Sequence, residues 1–422
     1  MLILPQDRRA ATPGFDRRLV PFALLWQDPV VRVLIAPDKF KGTLTASGAA
    51  QAMARGWRRA RPEDELTLLP ISDGGDGFGA LFARQMGARS VRSVVTDAAG
   101  RRVRAQWWWQ ADRRTAIIES ARVVGLAMLP AGKFHPFQLD TRGLGALLRK
   151  AKKKGARRCV IGLGGSATND GGFGLARGLG WKFLDRAGTS IERWTGLHRL
   201  QRIEPPPQKD WPGRIIVALD VQNTLLGPRG CTRVYGPQKG LRPREFARAE
   251  AALRRLAMVT QRRTGRNCSQ WAGAGAAGGL GFGLAAFLGA KLTPGFAFVA
   301  RQLRLAAAVR RADLVVTGEG RLDRSSLMGK GVGELASLCV ANQIPCAAVA
   351  GVLADQSRLG RRFCALAALT DWVAPQRALA HPAPWLERAS RFVAGRITAQ
   401  LPWLAETLNG STLPHEPGRS RR

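Results

Sequence analysis

Five short segments of this 422-residue chain gather glycine with carboxylates, amides, hydroxyls or lysines, the groups that hold phosphates and divalent cations. The first, Ala36-Pro37-Asp38-Lys39-Phe40-Lys41-Gly42-Thr43-Leu44, follows an apolar run. Its lysines can hold a phosphate or a substrate carboxylate. The second, Ser72-Asp73-Gly74-Gly75-Asp76-Gly77, lets backbone N–H groups approach an anion and offers two aspartates as oxygen ligands. In the third, Gly162 to Gly172, the polar side chains are Ser166, Thr168, Asn169 and Asp170, and Asp170-Gly171-Gly172-Phe173-Gly174 repeats the D-G-G-x-G of 73–77. A loop that only connects elements has no need of so many polar groups among glycines. The fourth runs from Asp220-Val221-Gln222-Asn223 to Gly236-Pro237-Gln238-Lys239-Gly240. The fifth, Thr317-Gly318-Glu319-Gly320-Arg321-Leu322-Asp323 with Ser325, Ser326, Gly329 and Lys330 behind it, carries both signs of charge. For the first two segments the competing reading is a plain solvated turn, in which Asp-Gly pairs are common.

Such chemistry needs elements that bring the segments together. Val31–Ala36 reads as a buried strand from its continuous apolar run. An Ala-rich helix over 45–60, a strand over Leu66–Pro70 and a helix over 76–86 follow. The texture then changes: Val91–Thr96, Val103–Gln110 and Thr115–Ser120 are strand-like runs with short breaks, the spacing of antiparallel strands. Within them Trp107 and Trp109 face one side and Trp108 the other, for packing rather than ligand stacking. Alternation resumes with a helix over 139–154, strand Cys159–Leu163, a helix over 172–180, a Pro-bearing loop over 201–213 and strand Ile215–Asp220. Helices over 243–263 and 275–289 come next, then strands Asp313–Thr317 and Ala347–Ala350 on either side of a helix over 326–341. Repeated βα units imply parallel sheets, whose ligands bind beyond the carboxyl ends of the strands. The pattern predicts a two-domain α/β fold. A discontinuous flavodoxin-like or Rossmann-like parallel-sheet domain spans 31–88 and 295–405, and a second α/β domain of mixed sheet is inserted over 89–294. Residues 1–30 read as an extension, unstructured or translated from a start upstream of the true one, and 406–422 as a polar tail. The glycines of Gly273–Gly283 either line a ligand or allow close backbone packing.

Composition narrows the classes. Hydrophobic residues make up 45% of the chain, which fits a folded protein, and no apolar run approaches the ~20 residues of a spanning helix. Cys159, Cys231, Cys268, Cys339, Cys346 and Cys364 form no C-x-x-C pair and sit in or beside apolar segments. They read as structural thiols in a reducing cytoplasm rather than a zinc site or disulfide framework. The net charge of +36 is spread along the chain, so no basic tail accounts for it. The cluster Lys150 to Arg158 reads as a solvated helix end, and nucleic acid is not an expected partner. There is no P-loop, because Gly329-Lys330 has Arg324 where the first glycine would fall. No G-x-S-x-G elbow occurs at Ser166, and His135, His198, His381 and His415 have no metal spacing.

Taken together the motifs resemble the bacterial type-1 glycerate kinases. They are A-P-D-K-F-K-G-T-L at 36–44, D-G-G-D-G at 73–77, I-G-L-G-G-S-A-T-N-D-G-G at 161–172, G-P-Q-K-G at 236–240, G-A-G-A-A-G-G-L-G at 273–281 and T-G-E-G-R-L-D at 317–323. The resemblance implies a two-domain α/β kinase that uses ATP and Mg²⁺ and turns D-glycerate into 2-phosphoglycerate. It implies a metal held among Asp73, Asp76, Asp220 and Glu319. It implies anion contacts from Lys41, Gly164, Gly165, Ser166, Thr168, Asn169, Gln238, Lys239, Gly318 and Lys330, with Lys39, Lys239 and Arg321 neutralising charge. Asp170 is the first choice for accepting the substrate hydroxyl proton and Asp323 the second. The chain departs from the family pattern at Gln222, where a second carboxylate is usual, at Asp76-Gly77-Phe78 and at Thr141 to Ala146. A kinase of another small hydroxy acid or sugar acid, and a basic nucleic-acid-binding protein on a kinase-like fold, are the alternatives. The oligomeric state is open, a homodimer included.

Overall fold

The computed structural model describes residues 30–327, 331–354, 359 and 362–398. The expected extension short of Val30, the expected tail and Lys330 lie outside the described residues. In chain order the strands are β1 (Arg32–Ile35), β2 (Glu65–Leu68), β3 (Arg89–Thr96), β4 (Arg102–Gln110), β5 (Thr115–Glu119), β6 (Arg158–Leu163), β7 (Lys182–Leu184), β8 (Arg202–Glu204), β9 (Arg214–Leu219), β10 (Lys291–Pro294), β11 (Leu314–Leu322), β12 (Cys346–Leu353) and β13 (Ala365–Ala368).

One sheet has the order β2-β1-β11-β12-β13 and is parallel throughout. This is the flavodoxin-like order, which reverses between its first and third strands. Here that point lies between β1 and β11, with Val33 opposite Leu314. Val33 and Ile35 enter a core with Met53, Trp57, Leu386 and Val393, while Leu34 enters another with Leu305, Val309 and Leu335. A strand covered on both faces reads as a continuous apolar run.

The other large sheet is mixed, in the order β10-β9-β6-β5-β4-β3. β3, β4 and β5 are antiparallel neighbours, and β5, β6, β9 and β10 run parallel. Trp107 and Trp109 pack into the large core on one face, and Trp108 joins Phe78, Phe82, Ile117, Val160 and Phe298 on the other. The helix Phe78–Gln85, which the expected boundaries place with the first sheet, therefore packs its aromatics on the second, and the helix Gly295–Gln302 is shared, with Phe298 on the second sheet and Phe296 against the core of the first. The Pro-bearing loop over 201–213 contains β8, which pairs with β7 in a separate ribbon.

The six cysteines are free thiols, five of them buried. Among the described residues no helix is long and apolar enough to cross a membrane.

Between the first and second segments, Asp64 ties the start of β1 to the helix Ala46–Arg58. Its carboxylate accepts from Val31 N (3.1 Å), Trp57 Nε1 (2.8 Å) and Arg61 Nε (2.6 Å), and both Asp64 and Arg61 are buried. Removing one partner of a buried ion pair strands the other, so Asp64→Ala should lower the unfolding free energy in urea by about 3–5 kcal/mol. Its kinetic constants should match the wild type when normalised to folded protein.

Candidate active site

Four of the five segments leave a strand at its carboxyl end: 36–44 after β1, 72–77 after β2, 164–172 after β6 and 220–223 after β9. The fifth remains on its strand, because β11 continues to Leu322, with Glu319 opposite Ala350 and Arg321 opposite Val352. These strand ends face a cleft of 1380 Å³. Asp38, Lys39, Lys41, Glu319, Arg321 and Asp323 line it from the first sheet. Asp76 joins them from the loop after β2, and Gly165, Ser166, Asp220, Gln238 and Lys239 line it from the side of the second. A smaller cavity of 480 Å³ shares Asp38, Lys39, Lys41 and Asp76 with the cleft.

At the centre, Lys39 Nζ lies 3.1 Å from Asp73 Oδ1, which also accepts from Gly75 N at 3.0 Å. Glycines admit the neighbouring carboxylates. A Cβ on Gly75 would stand 3.0 Å from Asp220 Oδ2, 3.2 Å from Asp73 Oδ1 and 3.3 Å from Lys39 Nζ. Gly165 has φ +58°, and a Cβ there would stand 2.5 Å from Asp76 Oδ1. Asp38, Asp73, Asp76 and Asp220 are thus crowded round one ammonium. Burial first, and then the charge of Asp73, push the carboxyls of Asp38 and of Asp220 up to about 7. Burial works against the Lys39 ammonium, but the charges of Asp73 and Asp38 hold its pKa above the usual lysine value.

Among the described residues no three carboxylates, imidazoles or thiols converge as a complete metal cage. The donor set still fits Mg²⁺, which takes one or two carboxylates and completes its shell with phosphate oxygens and water. Asp73, Asp76 and Asp220 offer hard oxygens, and their mutual repulsion is what a cation relieves.

The loop 164–172 divides into a front and a back. Gly165 and Ser166 line the cleft, whereas Thr168, Asn169 and Asp170 are fully buried behind it. Asn169 Nδ2 donates to Thr232 Oγ1 at 3.0 Å. Asp170, expected as the base, lies in this back layer. Its Oδ2 accepts from Thr141 N, Thr141 Oγ1 and Gly174 N at 2.9, 2.8 and 2.9 Å, and its Oδ1 accepts from Gly172 N at 3.1 Å. With no exposed surface and both oxygens occupied, this carboxylate is not presented to the cleft. It anchors the loop to the helix Arg142–Lys153 instead, with burial and then the charge of Asp140 pushing its pKa up to about 6.

Gly318 also has a structural place, since a Cβ on it would stand 2.0 Å from Val349 O. The glycine-rich helix Ala276–Leu288 serves close packing, because a Cβ on Gly283 would stand 2.6 Å from Gly172 Cα. Arg321 and Asp323 pair at 3.3 Å on the cleft edge. Asp38 and Tyr235 are cleft residues absent from the expected set. The signal for Asp38 was its place before Lys39 after a buried strand. Tyr235, which donates to Asn223 Oδ1 at 2.6 Å, gave none.

A flavodoxin-like sheet and a mixed sheet that meet at their strand ends over clustered carboxylates and lysines define an α/β enzyme of the phosphotransferase class. The model of the glycerate kinase family matches residues 33–398. A glycerate kinase of Bacillus subtilis (strain 168) is 36% identical over 87% of this chain and 98% of its own length. A glycerate 2-kinase of Escherichia coli (strain K12) is 38% identical over 77% of this chain and 86% of its own. A crystal structure assigned as glycerate kinase 2, from Salmonella typhimurium LT2, superposes with a TM-score of 0.76 at 33% identity, covering 89% of this chain and 100% of that one. The chain belongs to the glycerate kinase family.

Asp170→Asn separates the anchoring role from a proton-accepting one. An amide in that pocket points N–H at N–H, so the variant should lose about 1–3 kcal/mol of stability in thermal or urea melts. Its kcat per folded molecule should stay close to wild type, and a loss of turnover in a protein as stable as wild type would restore Asp170 as the base.

Proposed function

We propose that this protein transfers the γ-phosphoryl group of ATP to the 2-hydroxyl of D-glycerate, with Mg²⁺, giving 2-phosphoglycerate and ADP. The observation that carries this reading is the crowding of Asp38, Asp73, Asp76 and Asp220 round Lys39 at the cleft where both sheets end. Phosphoryl transfer asks a protein chiefly for positioning and charge stabilisation, and this cluster can supply both. The names of the relatives favour glycerate as the acceptor.

Mg²⁺ would supply positive charge to the phosphate oxygens, with Asp73 and Asp76 as its protein ligands. Lys39, held by Asp73, directs its ammonium to the transferring phosphate. Lys41 and Arg321, on the cleft wall, are further sources of positive charge. Asp220 takes the base role first given to Asp170. It lines the cleft, and a carboxyl pushed up to about 7 is poised to accept a hydroxyl proton near neutral pH. The acceptor oxygen attacks the γ-phosphorus as the bond to the β-γ bridging oxygen breaks, and the hydroxyl proton passes to Asp220.

The test is ATP consumption by purified protein with D-glycerate and Mg²⁺, the product identified by NMR. Turnover to 2-phosphoglycerate is expected, and no turnover in folded protein would remove the reading. Asp220→Asn keeps the shape and removes the proton acceptor, so kcat should fall about 10²–10⁴-fold. An unchanged kcat would remove Asp220 from the chemistry.

A further inference from the structure

Lys239 carries a charge that, among the described residues, no carboxylate pairs with directly. Its side chain is buried, with 6% of the residue exposed, yet it lines the cleft. The ammonium donates to Ser166 Oγ at 3.0 Å and to Thr168 O at 2.7 Å, both neutral acceptors. An ammonium has three N–H donors, so one remains for a ligand. The ionisable groups facing it are Cys231 and Asp170. Burial pushes the Cys231 thiol up to about 11, which leaves it neutral, and Asp170, whose oxygens are taken by neutral backbone and hydroxyl donors, acts on the ammonium from a distance and makes no ion pair with it. Burial pulls the Lys239 pKa down to about 8, so the group is still cationic at neutral pH. A buried charge without a counter-charge is costly, and a bound anion offsets that cost. Thr168 Oγ1, buried beside it, has no hydrogen-bond partner.

We infer that Lys239 and Ser166 form a carboxylate niche that selects 2-hydroxycarboxylates and presents their α-hydroxyl to the aspartate cluster. The inference rests on the proposed kinase reading and adds the acceptor's anchor and class. Position supports a carboxylate here. Ser166 follows Gly165, whose backbone lies against Asp76. In an α-hydroxy acid the reacting oxygen sits on the carbon next to the carboxylate, so anchoring one brings the other to the adjoining acid cluster. A β-hydroxyl lies one bond further out. Phosphates carried with a metal belong with Asp73 and Asp76, which leaves this metal-free cation for the acid.

The experiment has two arms. In nucleotide-free protein, calorimetry should show glycolate and D-lactate competing with D-glycerate, while glycerol, which lacks the carboxylate, does not compete even in ~100-fold excess, as a site built round a charge-assisted bond requires. Glycerol competing as well as glycolate would overturn the niche. In the second arm Lys239→Met should raise the KM for D-glycerate about 100-fold while leaving the KM for ATP within about threefold, and Ser166→Ala should raise the former by about tenfold. A rise in the KM for ATP with that for D-glycerate unchanged would assign Lys239 to the nucleotide instead. If Lys239→Met does not fold, the ligand arm and Ser166→Ala still decide. Failure of the kinase reading is separate, since it appears as a wild type that binds these acids but consumes no ATP with any of them.

Discussion

Asp38, Asp73, Asp76 and Asp220 crowd round the Lys39 ammonium, and much of the architecture exists to hold that arrangement. Like charges taken out of water favour protonation or a cation, which is why burial and Asp73 lift the carboxyls of Asp38 and Asp220 toward neutrality. Such crowding survives only if the chain cannot relax away from it. Asp38 follows β1, Asp73 and Asp76 follow β2, and Asp220 follows β9 in the other sheet. The acids are therefore brought together by two separate sheets, and neither sheet alone can spread them.

Close approach of the two sheets' loops depends on missing side chains. Gly165 faces Asp76 and Gly75 faces Asp220, Asp73 and Lys39. Behind them, Gly172 lies against Gly283, and Gly171 N donates to Gly278 O at 3.1 Å. The polar residues of 164–172 then divide by burial. Ser166 faces the cleft, while Asp170 spends its carboxylate on four donors to fix the backbone. The D-G-G-x-G pattern serves two purposes: at 73–77 its first aspartate is in the cluster, and at 170–174 its first aspartate is an anchor.

That division explains what the sequence could and could not disclose. The parallel first sheet, the location of five chemistry-bearing segments and the opposite facing of Trp107 and Trp108 follow from local pattern and from repeated βα units, whereas the strand order is seen only in the fold. The ribbon β7–β8 and the strands β10 and β13 were missed. Each is three or four residues long, and β10 ends in Pro294, so periodicity has too little length to act on. Composition marks a polar loop without saying which side chains turn inward, so it singles out Asp170 for the base role while the fold buries that residue behind the cleft. Burial is a tertiary property, and Asp170 and Asp220 look alike until the second sheet is in place.

The two lysines make the same point in energetic terms. Lys39 and Lys239 each follow a short polar motif, and along the chain only Asp38 before the one and Gln238 before the other separates them. In the fold, Lys39 is surrounded by carboxylates that hold its pKa above the ordinary value, whereas Lys239 is enclosed by a hydroxyl, a carbonyl and a neutral thiol that leave its pKa down at about 8. A lysine paired with several acids is already stabilised as a cation and suits a highly charged ligand that arrives with its own counter-ion. A buried lysine hydrogen-bonded only to neutral dipoles keeps its direct pairing for a ligand that brings a single negative group. On the function proposed above, the difference between these environments, rather than the identity of the residue, would let one cleft keep a nucleotide phosphate and an acid carboxylate apart.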